Sequence, residues 1–116
     1  MPEVLSFAIQ QREGAHAVIQ VSGSMDFDTC PPLELALAEL VNTCARHLVL
    51  DMGGVLFCDS SGVNALLQVR AHVGEHGSLA LAAAQPQVRR PLELIGVDAL
   101  IPLHPSVAAA LENLPT

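Results

Sequence analysis

Tryptophan, tyrosine and lysine are absent from the 116 residues, and phenylalanine occurs only at Phe7, Phe27 and Phe57. So few aromatics leave an aliphatic core and remove the stacking platforms that hold single-stranded nucleic acid. Without lysine there is no phosphate-gripping residue for a Walker A loop and no amine for a Schiff base. The five basic residues, Arg12, Arg46, Arg70, Arg89 and Arg90, stand against twelve acids, for a formal net charge of -7. That balance repels phosphate backbones and anionic membrane surfaces, so nucleic acid is not an expected partner. Cys30, Cys44 and Cys58 form no C-x-x-C pair. An odd, widely spaced set is neither a disulfide framework nor a zinc knuckle and reads as reduced thiols of a cytoplasmic protein. The longest apolar run, Leu79 to Ala84, is far shorter than the ~20 residues of a spanning helix. Met1-Pro2-Glu3-Val4 carries neither the basic nor the apolar region of an export leader. Membrane insertion and export are therefore not expected.

What is present suits one α/β domain: 51% apolar and 15% charged residues, enough for a core and too few charges for a disordered chain. Val4 to Gln10 and His16 to Val21 alternate as strands, with Arg12-Glu13-Gly14-Ala15 as the turn between them. After Cys30-Pro31-Pro32 the period changes, and Leu33, Leu37, Leu40, Val41 and Cys44 mark a helix. Leu48-Val49-Leu50 reads as a buried strand that Val55-Leu56-Phe57 can extend beyond the Gly53-Gly54 break. A second helix follows, capped by Asp59 or Ser60, with Val63, Leu66, Leu67, Ala71 and Val73 inward and Gly74 and Gly77 as terminators. Ser78 to Ala83 is the next strand. A helix from Gln85-Pro86 to Ile95-Gly96 is expected to kink or start late at Pro91. Leu100 to Leu103 suits a short strand, and Val107, Ala110, Leu111 and Leu114 share a face of a last helix. Strands alternating with helices imply parallel pairs: a four- to five-stranded mixed sheet with about four helices, mainly on one face.

The densest polar cluster, Cys58-Asp59-Ser60-Ser61-Gly62, falls between a strand and a helix, where α/β folds expose functional loops. At about 100° per residue, a buried face centred near Val63 turns Ser60 inward and Ser61 outward, in line with Gln68 and His72. A phosphate on Ser61 would sit at a helix start that favours anions. From composition alone, a simple capping segment is the plainer reading. A serine hydrolase is disfavoured: G-x-S-x-G needs glycine where Asp59 stands, and the chain is short for a triad. His72 and His76 have helical i, i+4 spacing, but sequence offers no further metal ligand; imidazoles at a helix end are the better reading. Arg89-Arg90 reads as a solvated face, Arg70 must snorkel or pair, and Cys58 reads as a small buried hydrophobe.

The segments Leu48-Val49-Leu50-Asp51, Val55 to Val63 and Leu66-Leu67 together resemble the signature of the STAS domain, and specifically of bacterial anti-sigma-factor antagonists. Gly23-Ser24-Met25-Asp26 is similar to that family's G-E-L-D loop, with Ser24 in place of Glu. Val88 to Asp98 and His104-Pro105-Ser106-Val107 extend the likeness over nearly the whole chain, so residues 1–116 are read as one STAS domain. The resemblance implies a non-enzymatic, cytoplasmic regulator without a cofactor. Its unphosphorylated form would bind an anti-sigma factor with serine kinase activity and free a sigma factor. Phosphorylation of the second serine of D-S-S-G, Ser61, would end the binding, and a PP2C-type phosphatase would restore it. Asp26, Asp59, Ser60, Ser61 and Gly62 would form the contact surface. Two other uses of the domain stay open: a phosphorylation-independent scaffold or ligand sensor, and an accessory subunit of a lipid or anion transporter.

Overall fold

The computed structural model describes residues 5–43 and 45–114. β1 (Ser6–Glu13) and β2 (His16–Met25) form an antiparallel hairpin. Its turn is only Gly14-Ala15, with Gly14 at φ +59, the first central position where a two-residue hairpin takes glycine most readily. Arg12 and Glu13, expected in the turn, pair in the ladder. Val4, the expected strand start, lies outside the described residues, as does Cys44 at the end of the first helical stripe.

From β2 onward each strand is followed by a helix. α1 (Cys30–Thr43) buries Cys30, Leu33, Leu37 and Leu40. β3 (His47–Cys58) leads to α2 (Ser60–Val73), and β4 (Ser78–Ala82) to α3 (Pro86–Ile95). A 3-10 turn (Val97–Ala99) and β5 (Leu103–His104) precede α4 (Val107–Glu112). Among the described residues the sheet has five strands in the order β1-β2-β3-β4-β5, parallel from β2 to β5.

Alternation decides which residues meet which helices. Ala17, Ile19 and Val21 of β2, Leu48, Leu50 and Met52 of β3, and Leu79 and Leu81 of β4 pack with the buried faces of α1, α2 and α3. Val18, Val49 and Ala82 point the other way and meet Ala110 of α4, with Val107, Leu111 and Leu114 around it. Three helices thus cover one face, and the stripe expected of α4 covers part of the other.

Three further expectations change. Gly53-Gly54 does not break β3: the strand runs for 12 residues against the 10 of β2. The surplus is taken up by register shifts opposite Gln20/Ser22 and Gly23/Ser24, bulges that let a strand carry extra residues while still pairing. α3 likewise starts on time and runs through Pro91. Pro91 and Gln87, whose carbonyl loses its usual donor, are both exposed, so water can serve that oxygen. The strand expected over Leu100–Leu103 contracts to Leu103–His104, although the Pro102 carbonyl still accepts from Leu81 N at 2.9 Å.

Candidate functional site

β2 and β3 end side by side, Met25 paired with Cys58, and the next residue on each strand is an aspartate. Asp59 caps α2: its Oδ1 accepts from Ser61 N at 2.9 Å and Gly62 N at 3.1 Å, and its carbonyl accepts from Val63 N at 3.0 Å. Asp26 closes the loop into α1, Oδ1 accepting from Asp28 N at 2.9 Å and Thr29 N at 3.0 Å. The Thr29 hydroxyl accepts from Asp26 N at 2.9 Å and donates to the Ser24 carbonyl at 2.7 Å. Asp59 N donates to the Met25 carbonyl at 3.2 Å, which ties the two loops together. Both carboxylates therefore satisfy backbone donors that would otherwise be orphaned at a helix or loop start.

Gly62 fixes how closely α2 lies on the strand ends. A Cβ there would come within 2.6 Å of Cys58 Sγ, 2.9 Å of the Met25 carbonyl oxygen and 3.0 Å of Met25 Cβ. No side chain fits without moving backbone. Burial, with smaller contributions from Cys30 and Asp59, pushes the Cys58 thiol up to about 12. Burial above all pushes Cys30 up to about 11. Both sulfurs stay protonated at neutral pH, which suits packing groups and not nucleophiles.

The orientation of the two serines is the reverse of the sequence expectation. Ser60 is exposed and Ser61 half-buried. The buried face of α2 consists of Gly62, Val63, Ala65, Leu66 and Val69, while Ala71 is exposed and Leu67 and Val73 are half-buried. The face is rotated because the small residues Gly62 and Ala65 allow the helix to approach, a signal that counting large apolar residues misses. Ser61 remains reachable from solvent, and among the described residues its hydroxyl makes no hydrogen bond. The second correction concerns the helix start: the amides of Ser61 and Gly62 are already engaged by Asp59, so they are not free to receive an anion.

An apolar rim surrounds the acids. Phe27, directly after Asp26, is 77% exposed, and Leu56 and Phe57, just before Cys58, are about half exposed at 49% and 52%. Leu56 and Phe57 lie in the strand extension expected of them, and the register shift opposite Gly23/Ser24 falls at this point of β3. Among the described residues no three metal-ligating side chains assemble, His72 and His76 included. Arg70 Nε donates to the Leu100 carbonyl at 2.9 Å, and Arg89 pairs with Glu93 at 3.4 Å along an exposed face of α3.

The family model described as the STAS domain matches residues 6–110. The chain belongs to the STAS domain family. RsfB of Mycobacterium tuberculosis, named an anti-sigma-F factor antagonist, is 28% identical over 97% of this chain and 92% of its own length. A STAS-domain containing protein of Pseudomonas aeruginosa is 31% identical over 80% of this chain and 92% of that protein. The crystal structure of an anti-sigma factor antagonist from Mycobacterium paratuberculosis superposes with a TM-score of 0.86 at 31% identity, covering 95% of this chain and 93% of that one. In this STAS domain the D-S-S-G segment, Asp59 to Gly62, occupies the carboxyl end of the central strands, where open α/β sheets place their functional crevice.

Proposed function

We propose that this STAS domain is an anti-sigma factor antagonist. In its unphosphorylated form it binds an anti-sigma factor that has serine kinase activity, freeing a sigma factor; phosphorylation of Ser61 ends the binding, and a PP2C-type phosphatase reverses it. The domain's own role is binding, not catalysis, and ATP and metal belong to the partners. The similarity to RsfB and to the mycobacterial antagonist supports the antagonist role. The observation that carries the Ser61 assignment is local: an accessible hydroxyl in the first turn of α2, over a carboxylate that already occupies the neighbouring amides.

That arrangement gives a phosphate its effect. A phosphoserine brings about 1.5 to 2 negative charges. With Asp59 holding the Ser61 and Gly62 amides, these charges are left to face the partner beside Asp59 and Asp26. A partner carboxylate ~5 Å away would be repelled by about 3 kcal/mol per unit charge at an effective dielectric near 20, before salt screening. That corresponds to roughly a hundredfold in affinity. Asp26, Asp59, Ser60, Ser61 and Gly62 form the polar centre of the contact surface, with Phe27 at its apolar rim.

The test is capture from host lysate with Ser61→Ala and Ser61→Asp as baits. A kinase-fold anti-sigma factor held by the Ala variant and lost by the Asp variant is the expected result. Equal capture by both overturns the switch.

A further inference from the structure

His16, His47 and Ser78, the first residues of β2, β3 and β4, stand in register at the pole opposite Ser61. The His16 and His47 rings meet edge to face with centroids 5.4 Å apart, and His47 Nδ1 lies 2.8 Å from Ser78 Oγ. The backbone beneath them is fixed. The Ala15 carbonyl accepts from both Arg46 N at 2.8 Å and His47 N at 3.0 Å, and Ser78 N donates to the Arg46 carbonyl at 2.9 Å. A cavity of about 560 Å³ opens here, lined by His16, Arg46, His47 and His76 and, from α4, by Leu111 and Glu112.

Three of the five histidines and one of the five arginines of a chain with net charge -7 thus face one cavity. Among the described residues none of the four is in an ion pair. Arg46 is a fixed cation beside three imidazole rings that can each donate a hydrogen bond, and an oxyanion bridging them would be held by charge-assisted hydrogen bonds. Arg46 offers a planar fork suited to two oxygens. With His47 Nδ1 held at Ser78, Nε2 is the ring nitrogen left to a ligand. We infer that this cavity binds a small anion carrying several oxygens, of the phosphate or polycarboxylate kind, clamped by Arg46 and the rings of His16 and His47.

Binding and protonation are then linked. Burial, the His16 ring and Arg46 all lower the proton affinity of empty His47; a bound anion opposes the last two effects. The groups facing it are His16 from β2, Arg46 ahead of β3, His76 and Ser78 around the start of β4, and Glu112 from α4, with Glu13 of β1 paired beside His16. Glu13 and Glu112 are the acids that work against the anion. Affinity accordingly rises as the pH falls through the histidine range.

The experiment follows the ring signals of all five histidines by NMR in the intact chain during titration with pyrophosphate and, in parallel, citrate, at about pH 6 and about pH 8. Saturable shifts of His16 and His47, with His72 and His104 still and affinity about tenfold higher at the lower pH, are expected. Saturation by pyrophosphate alone or citrate alone assigns the ligand class. Arg46→Gln should weaken binding about tenfold, and Glu112→Gln, on an exposed position of α4, should strengthen it several-fold. Stationary His16 and His47 signals, equal movement of all five histidines, or an affinity indifferent to both substitutions would overturn the inference.

Discussion

At the carboxyl ends of β2 and β3 the chain gathers Asp26, Asp28 and Asp59 with exposed Phe27 and Phe57; at the amino ends of the same strands it gathers His16, Arg46, His47 and His76. The two poles share one parallel register, yet their chemistry is opposite. Parallel connections bring the amino termini of α1 and α2 to the first pole and their carboxyl termini to the second. Carboxylates complement the positive helix starts and cations the negative ends. Charge segregation is thus partly a by-product of topology. What topology does not require is the accessible Ser61 at one pole and, among the described residues, the gathering of Arg46 with three histidines around a cavity at the other, and the two proposals rest on those features.

The comparison breaks most severely at Gly62. Gly62→Ala would drive a methyl into Cys58 Sγ and the Met25 carbonyl, and should cost about 2 to 3 kcal/mol in urea unfolding; a change below ~0.5 kcal/mol, the level of an ordinary surface substitution, would show that α2 does not rest on the strand ends. Phe27→Ala removes an exposed ring, so stability should stay within ~0.5 kcal/mol. Its affinity for the captured anti-sigma factor should fall about tenfold, as expected for an interface aromatic; unchanged affinity would remove Phe27 from the docking surface. Asp59→Ala loses the cap on Ser61 N and Gly62 N and should lower stability by about 1 kcal/mol, measurable by the same unfolding curves. The smallest effect belongs to the other pole. Because folding lowers the pKa of His47 from its ordinary value of 6.5, the unfolded chain binds the proton more readily. The stability present above pH 6.5 is therefore lost as the pH falls through that range in an anion-free buffer. His47→Gln should flatten that part of the pH profile, and an unaltered slope would assign it to other groups.

The sequence made the fold legible where one signal dominated. The α4 stripe of Val107, Ala110, Leu111 and Leu114 faces the sheet as its spacing demands, and Leu33, Leu37 and Leu40 do the same in α1. Local signals failed where tertiary contacts decided the outcome. Gly53-Gly54 looks like a break, but pairing with β2 carries the strand across it by bulging. Pro91 looks like a helix boundary, yet its cost is borne on an exposed face. The phase of α2 is set by Gly62 and Ala65, buried residues too small to mark a hydrophobic stripe, and this rotation exchanges the expected exposures of Ser60 and Ser61. Motif order pointed to the D-S-S-G segment correctly as a strand-to-helix junction. The amino-end cavity was not legible at all, since residues 16, 46, 47 and 76 become neighbours only through strand register and the placement of α4.

The central claim concerns one oxygen atom. Wild-type protein incubated with the captured anti-sigma factor and ATP, then cleaved and mapped by fragment mass spectrometry, should carry a single phosphoryl group on Ser61, with incorporation abolished by Ser61→Ala and undiminished by Ser60→Ala. Phosphate found on Ser60, or on neither serine while the partner is nonetheless released, would contradict it.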